Sequence, residues 1–126
     1  MIVLDASALI AHLHPRDTHH VTATDRLLEA SPGSMLIHAL TPAEVLVGGV
    51  RVGRGAAMRD DPHAAGIYTA QADGDPLRLA ELRASSGLKL PDCCVLDLAL
   101  HHDAALATFD GALAAQERQR DIAVLA

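Results

Sequence analysis

The chain opens with an apolar run, Met1-Ile2-Val3-Leu4, that stops on a carboxylate, Asp5, and passes at once into Ala6-Ser7-Ala8-Leu9-Ile10. A short continuous apolar run reads as a strand buried on both faces, and the alanine- and leucine-rich sequence after it reads as a helix. Strands buried on both faces belong to parallel sheets with helices above and below. The pattern repeats: residues 35–39, 67–70, 104–107 and 122–125 read as further strands. Helices are expected over 6–13, 17–30 (with Val21, Leu27 and Leu28 on the apolar side), 41–52, 75–87, 90–102 and 110–119. Ser31-Pro32-Gly33 reads as a turn and 53–62 as an exposed loop. The expected architecture is a three-layer α/β/α domain over residues 1–126, built on a mainly parallel sheet of four or five strands.

Half of the 126 residues are hydrophobic, enough for a core without disulfides or structural metal. Cys93 and Cys94 are adjacent and read as small buried hydrophobes in a reducing compartment. No Cys/His spacing matches a structural zinc site, and none of the paired histidines has the arrangement of a zinc protease. No signal peptide or membrane-length apolar run is visible, so a cytoplasmic protein without a membrane partner is expected. The only aromatics are Tyr68 and Phe109, which leaves few platforms for stacking bases, and the net charge of -6 excludes a polycation. Nucleic-acid chemistry therefore needs a local feature and cations that screen acidic groups.

The acids supply such a feature. Asp5, Glu44, Asp92 and Asp110 each stand at the start of an expected helix, and Asp5, Asp110 and Glu44 follow strands closely. Each has a structural alternative. Thr41-Pro42-Ala43-Glu44 fits a capping box, and Asp92 and Asp110 sit where a negative charge favours a helix by about 0.3–1 kcal/mol. Capping alone does not explain four carboxylates on one sheet edge, where they repel one another and raise each other's pKa. A cation among them does, and oxygen-only ligands suit Mg²⁺ or Mn²⁺. Such an ion lowers the pKa of a water, polarises a phosphoryl oxygen and steadies a leaving oxygen, which points to phosphodiester hydrolysis. Ser7 and Thr108 lie beside Asp5 and Asp110; their hydroxyls either support a carboxylate or cap a helix. Asp97, five residues past Asp92, turns away around the helix and reads as a supporting or surface acid, and Asp103 as helix-end surface. Arg51, Arg54 and Arg59 form the densest basic group, either a phosphate-contacting edge or a solvated helix end. Arg78 and Arg83 read as helix surface.

Val3-Leu4-Asp5-Ala6-Ser7-Ala8-Leu9, Thr41-Pro42-Ala43-Glu44-Val45, Leu88-Lys89-Leu90-Pro91-Asp92 and Ala107-Thr108-Phe109-Asp110 together resemble a PIN domain, most closely the VapC-type toxins of toxin–antitoxin pairs. The resemblance implies a magnesium-dependent endoribonuclease with Asp5, Glu44, Asp92 and Asp110 as metal-binding acids. It also implies an RNA substrate, a cognate antitoxin that obstructs the site, and a homodimer. Arg51 and Arg54 become candidate RNA contacts. The alternative is a catalytically silent PIN-fold binding module. A receiver domain wants adjacent early acids and a late lysine, and a haloacid-dehalogenase-type phosphatase wants an acid where Ser7 stands; neither fits.

Overall fold

The computed structural model describes residues 1–30, 33–59, 66–70, 74–120 and 122–125. Side chains along a strand alternate between faces, and this rule divides the apolar residues into two cores. The strands are β1 (Ile2–Leu4), β2 (Met35–Ile37), β3 (Tyr68–Thr69), β4 (Ala105–Ala107) and β5 (Val124–Leu125). They form one parallel sheet in the order β3-β2-β1-β4-β5. Val3 pairs with Leu36 on one side and Leu106 on the other. This row packs with Leu82 of α5 (Pro76–Ser86), Leu96 of α6 (Leu90–His102) and Leu113 of α7 (Gly111–Gln119). Leu4, Ile37 and Ala107, one residue on, pack instead with Leu9 of α1 (Ala6–Leu13), Leu27 of α2 (His20–Leu28) and Val45 of α3 (Leu40–Arg51). The result is a three-layer α/β/α sandwich.

The strand order positions the site. From central β1 the chain moves outward through β2 to β3, then crosses back to β4 on the other side and ends at β5. Connections leaving β1 and β4 thus diverge, and a crevice opens at the carboxyl ends of these two strands, where ligands bind in such sheets. Asp5 follows β1, and Thr108 and Asp110 follow β4.

Several local expectations are corrected. α2 begins at His20 rather than at Asp17, whose carboxylate instead accepts from the His19 amide. Its buried face is Ala23 and Leu27, four residues apart on one stripe; Val21 and Leu28 are exposed. α3 starts at Leu40, so Thr41 lies inside the helix, fully buried, and forms no capping box. The His38 ring does the capping, with Nδ1 accepting from the Leu40 amide at 3.1 Å. A short helix, α4 (Gly55–Met58), occupies part of the stretch expected as loop. Ser31, Pro32 and residues 60–62, expected in turns or loops, lie outside the described residues. Cys93 and Cys94 are buried free thiols. No helix among the described residues is long and apolar enough to cross a membrane.

Candidate functional site

Asp5 anchors the rim. It is 5 % exposed and is the N-cap of α1, with Oδ1 accepting from the Ala8 amide at 2.9 Å and from Ser7 Oγ at 2.6 Å. Oδ2 accepts from Thr108 Oγ1. Both hydroxyls are in turn held by the β4–α7 connection. Ser7 Oγ accepts from the Phe109 amide at 2.9 Å, and Thr108 Oγ1 from the Asp110 amide at 3.0 Å. Two side chains far apart in sequence thus lock one carboxylate between β1 and β4. Burial nevertheless lifts the Asp5 pKa above its ordinary value; the three hydrogen bonds oppose this, and the Asp110 charge adds to it.

Asp110 is exposed and caps α7, its Oδ1 accepting from the Leu113 amide at 2.9 Å. For Asp5 and Asp110, then, capping and membership of the acid group coexist. Glu44 and Asp92 differ. Glu44 stands beyond the first turn of α3, where no acid is found, so the capping alternative lapses. Asp92 lies in the first turn of α6, but the N-cap there is Lys89 and no side chain caps it. Burial, then Asp92, then Asp5 raise the Glu44 pKa. Burial, then Asp110, then Asp5 raise that of Asp92, and Lys89 opposes them. Asp5 thus feels Asp110, Glu44 feels Asp92 and Asp5, and Asp92 feels Asp110 and Asp5, and their exposure is graded from buried Asp5 through half-buried Asp92 to exposed Glu44 and Asp110.

The side chains as they stand do not close on a single point. Among the described residues, no three acidic, His or Cys side chains form a set that could hold one ion. The donor chemistry still fits a hard divalent cation: every donor is a carboxylate oxygen, and added positive charge would favour the ionised forms that burial, and secondarily the neighbouring acids, disfavour at Asp5, Glu44 and Asp92.

Of the basic candidates, exposed Arg54 lines a cavity of about 320 Å³ together with Glu44, His14 and Val52, whereas Arg51 is exposed at the end of α3. Asp97 is buried, and Arg78 grips it from α5 through Nε and through Nη2 at 2.9 Å, so neither is simple helix surface. His38 is the first polar residue after the apolar run of β2, the position that Asp5 takes after β1.

Comparison with known proteins agrees with this architecture. No curated protein matches the chain by sequence. The chain superposes on a toxin–antitoxin complex from Klebsiella pneumoniae with a TM-score of 0.70 and 25% identity, covering 87% of each chain. VapC20 of Mycobacterium tuberculosis, a Sarcin-Ricin loop cleaving toxin, gives 0.70 at 15% identity, with 92% of this chain and 95% of that one covered. VapBC-1 of nontypeable Haemophilus influenzae gives 0.69 at 17%, over 98% and 96%. The PIN domain family matches residues 2–118, nearly the whole length, and the chain belongs to that family.

Proposed function

We propose that this PIN protein is a divalent-metal-dependent endoribonuclease and the toxin half of a toxin–antitoxin pair. The observation that carries this reading is the placement of Asp5: a buried carboxylate, fixed from both β1 and β4, at the crevice where the strand connections diverge, with three more acids near enough to perturb it or one another. Asp5, Glu44, Asp92 and Asp110 would hold Mg²⁺ or Mn²⁺, which supplies Lewis acidity toward a phosphodiester and its attacking water. The chain's own part is positional. Ser7 and Thr108 keep the Asp5 carboxylate in one orientation, as partners of metal-binding groups do. Exposed Glu44 and Asp110 leave the rim open to a strand of RNA. Arg54, across a cavity from Glu44, is placed to meet a phosphate; Arg51 is the weaker candidate.

The antitoxin and homodimer readings rest on likeness to toxin–antitoxin complexes and on exposed apolar side chains of α3 and its end, Val47, Val50 and Val52, which a partner could cover. The rival is a PIN fold that binds without cutting, and in its favour no three acids among the described residues close into one ligand set. A cleavage assay separates the two. The purified chain is expected to cut labelled single-stranded RNA in Mg²⁺, to stop when the metal is chelated, and to lose cleavage in Glu44→Gln while still folding. RNA bound but left whole in Mg²⁺ would establish the silent module.

A further inference from the structure

A second concavity lies between the carboxyl ends of β2 and β3, with His38 and Ala70 at its edge, and the face of α6. It has a volume of about 290 Å³, close to the roughly 300 Å³ at which small-ligand pockets begin. Its polar lining is His38, Arg78, Cys94, Asp97, His101 and His102, over apolar Leu36 and Leu98. Cys94 and Asp97 share α6 with Asp92, Cys94 two residues along it, so one helix carries both the trough lining and an acid of the rim. The trough continues along α6 to the paired rings of His101 and His102, whose centroids are 5.1 Å apart at 85°. In a chain with one Tyr and one Phe, this corner supplies the flat faces on which an unstacked base can lie.

The hydrogen-bonding groups have a definite sense. His38 Nδ1 already accepts from the Leu40 amide, so the neutral ring carries its proton on Nε2 and offers a donor. Arg78 spends Nε and one Nη2 hydrogen on Asp97 and keeps its remaining N–H groups. Asp97 has both oxygens engaged by that guanidinium. The groups that His38 and Arg78 have left to offer are therefore all donors. They match a base edge with two acceptors side by side, as on guanine O6 and N7, and oppose adenine, whose N6 amino group would meet a donor.

We propose that this trough is a base-recognition subsite: it takes one unstacked guanine of the RNA, stacked against the His101–His102 corner and hydrogen-bonded by His38 and Arg78. The subsite rests on the ribonuclease reading for its role, and its recognition can be measured without cleavage. The test follows the histidine ring resonances while GMP or AMP is added to the wild type, to Asp5→Asn and to His101→Ala/His102→Ala, whose replaced side chains are exposed. The expected result is that GMP shifts His38, His101 and His102 equally in wild type and Asp5→Asn. It should bind about tenfold more tightly than AMP, and about tenfold more weakly in the double variant. Equal binding of the two nucleotides, shifts at other histidines only, or GMP binding unchanged by the double variant would overturn the proposal. The two readings fail separately: loss of GMP shifts in a chain that cleaves RNA removes the subsite alone, and GMP binding in a chain that never cleaves removes the nuclease alone.

Discussion

Glu117 and the acids of the rim carry the same kind of perturbation in opposite settings. Glu117, on the inner face of α7, is fully buried, and neither carboxylate oxygen has a hydrogen-bond partner. Burial pushes its pKa to about 7, against which the Arg120 charge works only in part. Asp5, Glu44 and Asp92 are raised as well, but there like charges add to burial, and the group faces solvent at Glu44 and Asp110. A lone acid in the core is neutralised by one proton. A set of acids on an open rim can be neutralised by a cation, which keeps them all ionised. The lesson is that a raised carboxylate does not identify a metal site until its neighbours and its access to solvent are known.

Four measurements can break or sharpen that contrast. The largest effect is expected on chemistry. Asp5→Asn should lower RNA cleavage about 10²–10³-fold, the scale seen when one preorganised electrostatic group is lost, with the fold intact by circular dichroism. Retained cleavage would detach the rim from the reaction.

Next is the pH dependence of stability. The folded pKa of Glu117, about 7, lies above its ordinary 4.5, so the folded state binds more protons across this window. Its destabilising effect is absent below 4.5, grows as the pH rises to 7 and is constant above. At about 1.4 kcal/mol per pH unit, the full effect is about 3 kcal/mol. Denaturant titrations should find Glu117→Leu more stable than wild type by about 2–3 kcal/mol at pH 8 and by little at pH 5. An equal gain at both values would mean that packing, rather than charge, sets the penalty.

The third effect is smaller and belongs to the rim. Mg²⁺ at ten times its dissociation constant should stabilise the wild type by about 1.4 kcal/mol. Thermal melts should show the same gain in Glu117→Leu and none in Asp92→Asn. The smallest is Ser7→Ala, which removes the donor to Asp5 and the acceptor of the Phe109 amide. A loss of about 1 kcal/mol is expected by chemical unfolding. No loss would mean that Thr108 alone positions Asp5.

The layered fold was legible because β1, β2 and β4 are short apolar runs whose alternate residues fill two cores: Val3, Leu36 and Leu106 on one face, Leu4, Ile37 and Ala107 on the other. The strand ends exposed the site in the same way, since Asp5 and the Thr108–Asp110 segment directly follow β1 and β4. What escaped was decided by partners distant in the chain. Asp97 reads as a supporting or surface acid, and only the placement of Arg78 by α5 decides against surface. Thr41 looked like a cap until the helix began earlier, with His38 taking that duty. Glu117 sits in a polar stretch, Gln116-Glu117-Arg118-Gln119, whose composition hides its burial. Val21 and Leu28 went the other way, apolar residues left exposed because α2 packs through Ala23 and Leu27.

The central claim, that four separate carboxylates act together on one cation, is tested most directly by calorimetric titration of Mn²⁺ into the purified chain without RNA. The account predicts saturable binding in the wild type and in Asp97→Asn, lost or strongly weakened in each of Asp5→Asn, Glu44→Gln, Asp92→Asn and Asp110→Asn. Binding that survives all four substitutions, or no binding by the wild type, would contradict it.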